Sequence, residues 1–265
     1  MTLPFAIPPS LSPSFTISRC TAADVDELGE IYYDSFKTDK RNTFWWPVEK
    51  EPMVAWMHRR NSRKIGDSSM RHFKVTDVQS GEIAAFARWD IPEGYEAAFG
   101  EWPGENVSAV DVSVLVQADE SAGDAQQKPG EDVPVTTAPV DTITPPAVAD
   151  YPEGADPEPC RVFFDALKKV SEKHNADAML GLSLLCTSPK YQKKGAAKAL
   201  MLPMLAIADA HGLKTYLEAT PNGKPVYERI GFREVDQLTF DIEKLTGKPE
   251  GIYYLSIMVR EPKSQ

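Results

Sequence analysis

The sequence predicts a mixed α/β fold, in which helices cover a single sheet. Seven segments have the alternating or continuous apolar pattern of strands, and amphipathic segments with helical spacing separate most of them. A length of 265 residues with 42% hydrophobic content permits a substantial core. This order of elements is typical of an α+β mixed sheet within one domain.

The N-terminal elements are a strand, two helices and a hairpin. The alternating segment FTISR predicts the strand, and Thr21 can cap the amphipathic helix that follows it. A basic second helix precedes two strands, which the turn Gln79-Ser80-Gly81 joins as an antiparallel pair. The predicted ranges are 15–19, 22–36, 51–65, 72–78 and 82–91.

The C-terminal elements begin with an amphipathic helix over residues 157–174. The continuous apolar run AMLGLSLLCT then indicates a central strand covered on both faces, and the next helix ends at a Gly212 C-cap. A strand, a short helix and two further strands complete the chain. The central strand is predicted at 178–187 and the short helix at 224–231. The other three strands are predicted at 214–219, 233–241 and 252–259.

Residues 94–157 interrupt this pattern. Seven of the 22 prolines lie between Pro129 and Pro157, and the stretch from Gln117 to Glu158 has ten acidic residues with Lys128 as its one base. This composition predicts a largely irregular, solvated insertion or lid. The whole chain has a net charge of -10, which argues against a nucleic-acid surface that covers the protein.

The three cysteines have no CxxC spacing and the four histidines have no metal-ligand spacing, so the sequence predicts neither a disulfide framework nor a metal site. Prolines interrupt the first fifteen residues, which do not resemble a signal peptide. No apolar run approaches the roughly 20 residues of a membrane-spanning helix. We therefore expect a cytoplasmic or nuclear protein without a membrane partner.

The segment TSPKYQKKGAAKALM joins the apolar strand to its helix. The first N–H groups of a helix lack internal partners and, with the helix dipole, form a site for an anion such as phosphate. Gly195 permits close approach to an oxygen, and Lys193 and Lys194 supply positive charge. The alternative is a buried helix whose loop contains lysines without a binding role.

Two blocks of sequence resemble the GCN5-related N-acetyltransferase (GNAT) superfamily. YQKKGAAKALM is similar to its acyl-CoA signature, with Ala197 at the second glycine position, and YLEATPNGKPVYERIGFREV resembles its tyrosine-bearing helix and following strand. The resemblance is closest to fungal-type small-molecule N-acetyltransferases. It implies one GNAT-like domain over residues 15–260, with the insertion at 94–157 and a tail at 1–14. Pro203 lies inside the signature helix, where a kink would disturb pyrophosphate geometry.

The resemblance implies that acetyl-CoA is the cosubstrate and that the apolar strand separates from its neighbour to bind the pantetheine arm. The amides from Gln192 to Ala197 would hold the pyrophosphate. Residues assigned to acetyl-CoA are Leu185, Cys186, Thr187, Gln192, Lys193, Lys194, Gly195, Ala196 and Ala197.

Two residues are candidates for the chemistry. Tyr227 matches the family's general acid, which would protonate the leaving thiolate, although a tyrosine packed on the core is the alternative. Glu218 ends a strand that faces the cleft and is a candidate base, or else it caps that strand. Asp90 and Asp111 are weaker candidates, since no motif supports them. Cys186 is either a nucleophile or, as its apolar run favours, a small buried residue.

The leading interpretation is an N-acetyltransferase that acts on a small-molecule amine by direct attack in a ternary complex. One alternative is a protein or peptide N-acetyltransferase, and another is a non-catalytic acyl-CoA-binding protein. The aromatic cluster Phe44-Trp45-Trp46 forms either an acceptor wall or core packing. A monomer and a homodimer are both compatible with the sequence, and no nucleic-acid partner is expected.

Overall fold

A seven-stranded mixed sheet in the order β1-β2-β3-β4-β5-β7-β6 organises the computed structural model of the chain. The structure describes residues 3–100, 102 and 150–263. Its strands are β1 (Phe15–Arg19), β2 (Met70–Asp77), β3 (Ile83–Asp90), β4 (Leu180–Thr187), β5 (Thr215–Ala219), β6 (Arg233–Asp241) and β7 (Ile252–Arg260). Its α-helices are α1 (Val25–Phe36), α2 (Lys50–Ile65), α3 (Pro157–Lys173), α4 (Ala196–Ala210), α5 (Lys224–Glu228) and α6 (Ile242–Thr246).

These elements confirm the predicted mixed α/β fold, and their order follows the sequence pattern. The first predicted helix begins as a 3-10 turn, which Thr21 caps by donating its backbone N–H to Asp24 Oδ2 at 2.7 Å. Helix α6 was not predicted from the sequence. Its five residues are too few to display helical periodicity, and its start depends on Asp241, which accepts from the Lys244 N–H at 3.1 Å.

Two hydrophobic clusters cover opposite faces of the sheet. Helix α4 packs on one face, where Leu200 and Met204 lie against Phe73 and Trp89 of the sheet. The helices α1, α2 and α3 cover the other face, in a cluster that includes Phe163. The central strand β4 contributes to both clusters, as its continuous apolar run predicts.

The ends of the predicted tail and insertion are more ordered than their composition suggested. Phe99 is fully buried, and the Arg71 guanidinium donates to the carbonyl oxygens of Glu96, Phe99 and Gly100 at 2.9–3.2 Å. In the tail, Phe5 packs edge-on against Phe73 with ring centroids 5.1 Å apart. Phe99 therefore anchors residues 94–100 to the core and Phe5 anchors the N-terminal segment, although neither segment has a periodic pattern.

Contacts divide the chain into one unit of residues 1–106 and 151–265 and a second unit of residues 107–150. The second unit lies outside the described residues except for Asp150, and the predicted lid and Asp111 therefore lie outside them too. Within the described ranges, no helix is long and apolar enough to cross a membrane.

Candidate active site

The sheet opens between β4 and β5. The two parallel strands pair only at Leu180 with Thr215 and at Gly181 with Tyr216, so the rest of β4 has no strand on that side. On its other side β4 remains paired with β3 as far as Thr187. The result is a notch in the middle of the sheet, with unpaired backbone along one wall.

Hydrogen bonding to β3 decides which backbone groups of β4 face the notch. Ser188 donates its N–H to the Ala84 carbonyl at 3.0 Å, and antiparallel pairs alternate between bonded and non-bonded. Thr187 and Leu185 are therefore in non-bonded pairs, and their N–H and C=O groups point into the notch. The Thr187 carbonyl there accepts from Ser35 Oγ at 3.2 Å. Cys186 departs from the prediction, because its backbone faces β3.

The loop before α4 leaves a row of backbone N–H groups without acceptors. Gly195 has a left-handed φ of 87° and Lys193 has a φ of 62°, which turns the chain sharply into the helix. The first N–H within α4 that finds an acceptor belongs to Ala199, which donates to the Gly195 carbonyl at 3.0 Å. Among the described residues, the N–H groups from Lys193 to Lys198 have no acceptor.

One predicted donor is already occupied. The Gln192 N–H donates to the Pro189 carbonyl at 3.5 Å, which shifts the free amides one residue along the chain. The side chains of Lys193 and Lys194 are exposed, and Lys194 Nζ lies 4.9 Å from the centroid of the Tyr191 ring. The loop is anchored by Tyr191 itself, which is buried and donates to Glu82 Oε2 at 2.5 Å.

Pro203 does not interrupt the start of α4. The helix is continuous from Ala196 to Ala210, and its first hydrogen bond, from Ala199 to Gly195, is intact. Pro203 is buried and lines a cavity with Pro4 and Phe5 of the N-terminal segment. The helix thus accommodates the proline about two turns beyond the loop at residues 192–195, and the first turn keeps its geometry.

Tyr227 lies on the short helix α5, beside the notch. Its ring packs edge-on against Phe232 with centroids 6.0 Å apart, and part of the ring is exposed. Burial raises the pKa of its hydroxyl, and the nearby Cys186 adds to this shift. The phenol therefore keeps its proton at neutral pH, as a general acid requires.

Glu218 lies on β5 across the notch from β4. Burial raises the pKa of its carboxyl to about 7, and Asp90 adds to this, while the neighbouring Tyr216 hydroxyl opposes the shift. That hydroxyl is buried beside Glu218 but forms no hydrogen bond of ordinary geometry with any described residue. A carboxylate with a pKa near 7 can accept a proton at neutral pH without being permanently charged.

Glu218 also lines a cavity of about 350 Å³ on the α1–α2–α3 side of the sheet. Its wall is largely aromatic, and polar and charged groups lie among the aromatic rings. The residues that line it include Tyr32, Trp45, Trp56, Arg60, Lys64, Arg88, Phe163, Phe164, Ser183, Leu184, Glu218 and Thr220. Leu184 and Thr220 place the cavity at the open end of the β4–β5 notch.

The predicted aromatic cluster divides between wall and core. Trp45 lines the cavity and stacks on Phe163 with centroids 5.1 Å apart. Phe44 is buried against Phe240, and Trp46 stacks on Tyr32 at 5.4 Å. The cluster therefore contributes to a cavity wall through Trp45 and to core packing through Phe44.

A buried polar network that the sequence analysis missed links β3 to β4. Arg88 Nε donates to Ser183 Oγ at 3.0 Å, and Ser183 Oγ donates to Asp90 Oδ1 at 3.1 Å. Burial raises the pKa of Asp90, against the opposing effects of Arg88 and Lys64. Ser183 occupies a bulge between two pairs of the β3–β4 ladder, and no short motif could have indicated this position.

The remaining sequence candidates have no reactive environment. The Cys186 thiol is buried, and burial raises its pKa, which disfavours the nucleophilic thiolate. All three cysteines are free. In the described part of the chain, no group of three or more His, Cys, Asp or Glu side chains could hold a metal ion.

Two sequence comparisons find proteins similar to this chain. Residues 170–242 match a family model described as an acetyltransferase (GNAT) domain, and this range contains the notch, the loop, Glu218 and Tyr227. An 81-residue stretch is 36% identical to an uncharacterized N-acetyltransferase from Schizosaccharomyces pombe, and it covers 29% of this chain and 30% of that protein. This match thus spans less than a third of the curated relative.

The fold also matches solved structures over most of the chain. Arylalkylamine N-acetyltransferase 2 from Aedes aegypti aligns with a TM-score of 0.52 and 14% identity, over 94% of this chain and 99% of that chain. Mosquito arylalkylamine N-acetyltransferase-like 5b aligns with a TM-score of 0.51 and 10% identity, over 94% and 100%. At this identity the likeness shows the fold alone.

Proposed function

Because the chain carries an acetyltransferase domain of the GNAT family, we propose that it transfers an acetyl group from acetyl-CoA to the amine of a small molecule. The observation that carries the proposal is the notch between β4 and β5, which lies between a row of free amides and a cavity with a titratable carboxylate. The acetyl donor and the amine would meet there from opposite sides, in a ternary complex.

The cofactor side is built from backbone. Leu185 and Thr187 offer N–H and C=O groups to which an extended, amide-containing pantetheine arm can add like a strand. The free amides from Lys193 to Lys198, at the positive end of the α4 dipole, suit a pyrophosphate. Acetyl-CoA supplies an activated thioester, and the protein holds it beside the amine, which removes much of the entropy cost of a bimolecular reaction.

Proton transfer divides between two side chains. Glu218 takes a proton from the amine, directly or through a water, as the nitrogen bonds to the thioester carbonyl carbon. When the carbon–sulfur bond breaks, the electron pair leaves with the sulfur, and Tyr227 donates its hydroxyl proton to that thiolate. The products are an N-acetyl amine and free CoA thiol.

The size of the acceptor cavity favours a small amine over a protein. About 350 Å³ accommodates a compact molecule rather than a folded chain surface, and aromatic side chains form much of its wall. A binding protein without activity would not require a carboxylate with a pKa near 7 at the notch. We further propose that the protein acts in the cytoplasm or nucleus.

The test is CoA thiol release from acetyl-CoA over a panel of arylalkylamines, amino acids, polyamines and lysine-containing peptides, with mass spectrometry of the products. We expect turnover with at least one small amine and little with peptides. Preferential acetylation of peptides would contradict the small-molecule assignment. Calorimetric binding of CoA without thiol release from any acceptor would support the non-catalytic alternative.

A further inference from the structure

The acceptor cavity carries more positive charge than an acetyltransferase for simple amines requires. Arg60, Lys64 and Arg88 line it, and Glu218 is the single carboxylate among its lining residues. If Glu218 receives the amine proton, no ionised carboxylate remains among the residues that line the cavity beside Arg88 and Lys64. Repulsion from them would disfavour an acceptor that carries only positive charge.

Arg88 is the most deeply placed of these cations. The residue is 7% exposed, and its Nε donates to Ser183 Oγ. Its Nη1 is buried and has no acceptor among the described residues. An unpaired donor on a buried charge is costly, and a ligand oxygen placed against the guanidinium would remove that cost.

Lys64 stands beside this guanidinium without an ion pair to any described residue within 4.0 Å. Burial and the nearby Arg88 lower the pKa of its amine to about 8, although Asp90 opposes them. Two clustered cations that destabilise each other form a natural site for an anion. Arg60 instead forms a cation–π contact, because its guanidinium lies 4.6 Å from the centroid of the Trp56 ring.

A second cavity, of about 640 Å³, shares Glu218 and Ser183 but has the opposite charge. Its lining includes Asp90, Glu93, Glu96 and Asp177. This acidic cavity lies at Gly181 and Leu182, where β4 and β5 are still paired or have just begun to diverge. The aromatic cavity instead reaches Leu184 and Thr220, at the open notch where the thioester would lie.

We propose that the acceptor is an apolar or aromatic amine that also carries a carboxylate, which Arg88 and Lys64 bind while the amine faces Glu218. Arg88 on β3 and Glu218 on β5 line the same cavity of about 350 Å³, so one amino-acid-sized molecule can contact both side chains. Trp45 and Trp56 would pack against its apolar body. This inference rests on the proposed function and specifies its substrate class.

The test compares matched acceptors that differ only in the carboxylate: phenylalanine with phenethylamine, and tryptophan with tryptamine. We expect kcat/KM at least 10-fold higher for the amino acid of each pair. In Arg88→Gln and Lys64→Gln, kcat/KM for phenylalanine should fall about 10- to 100-fold, while that for phenethylamine changes less than about threefold. Arg88→Lys should restore part of the loss. The matched control is Arg59→Gln, which replaces an exposed arginine.

A binding measurement separates this inference from the proposed function. The probe is 3-phenylpropanoate, which has the carboxylate but no amine, and quenching of intrinsic tryptophan fluorescence reports its binding. If no amine is acetylated but the probe binds in an Arg88-dependent manner, the proposed activity fails and the anion site stands. The inference is overturned if the kcat/KM for phenethylamine or spermidine equals that for phenylalanine. It is also overturned if the soluble, folded Lys64→Gln variant leaves both the preference and probe binding unchanged.

Discussion

The two sides of the notch are built in different ways. The cofactor side consists of backbone groups from one continuous segment, residues 185–198, and depends on strand pairing and on one turn. The acceptor side consists of side chains from α1, α2, β3, α3 and β5, which only the complete fold brings together. Substitutions should therefore affect the two sides differently, since side chains can be removed one at a time and backbone amides cannot.

Removal of the carboxylate from the acceptor side should have the largest effect. Glu218→Gln leaves a group of similar size that cannot accept a proton, and general base catalysis is typically worth about 10²- to 10⁴-fold. We expect kcat to fall about 10³-fold in steady-state thiol release, with little change in the Kd for acetyl-CoA. Glu228→Gln, on the exposed side of α5, is the control. A fall of less than about tenfold would exclude Glu218 as the base.

Tyr227→Phe probes the point where the two sides meet. It keeps the ring and its contact with Phe232 but removes the proton that Tyr227 would give to the thiolate. We expect kcat to fall about 10²-fold, with calorimetric binding of acetyl-CoA retained. If kcat with acetyl-CoA is unchanged, Tyr227 is a packing residue and another group is the acid.

Gly195→Ala tests the backbone-built side. A Cβ at Gly195 would meet no atom within 4 Å, but φ is 87°, so the substitution strains the turn that presents the amides. We expect a loss of about 1 kcal/mol in the free energy of unfolding and a KM for acetyl-CoA about 5- to 10-fold higher.

Gly212→Ala is the matched control, because Gly212 also has a positive φ of 65° and open space around its Cβ position, at the other end of α4. It should lose similar stability and keep its KM for acetyl-CoA. An equal rise in KM in both variants would mean that the effect comes from general destabilisation.

The smallest effect is expected at Ser35, where α1 touches the cofactor side. Ser35→Ala removes the hydroxyl that donates to the Thr187 carbonyl at 3.2 Å. We expect a loss of about 1 kcal/mol in denaturant unfolding and less than a threefold change in the KM for acetyl-CoA. A tenfold change would mean that this side-chain contact positions the backbone wall more strongly than the β3 ladder does.

The same contrast explains what the sequence could predict. The anion-binding loop and Tyr227 lie in short continuous segments, where a turn residue, a strand and a helix start leave a local pattern. The free amides were misplaced by a single residue, since the Gln192 N–H bonds to Pro189 within a 3-10 turn that the sequence does not display. The opening of the sheet was expected near Leu185, but the pairing of β4 with β5 already ends at Gly181.

The acceptor side could not be predicted in this way. Arg88, Ser183 and Lys64 lie on three different elements, and their proximity follows from the strand register, including a bulge at Ser183. Phe99 was assigned to an irregular insertion because an isolated buried aromatic produces no periodicity. The pKa of Glu218 depends on burial by distant segments, which no local pattern encodes.

The most direct test of the account is the pH dependence of kcat/KM, measured with an arylamine acceptor whose own ammonium pKa lies below 5. Such an amine does not titrate between pH 6 and 8, so the profile reports the enzyme. Glu218 has a pKa of about 7 and accepts a proton only when ionised, so kcat/KM should rise through pH 7 and level off near pH 8. The inflection should disappear in Glu218→Gln. A flat wild-type profile, or an inflection that persists in Glu218→Gln, would contradict the assignment of Glu218 as the base that joins the two sides.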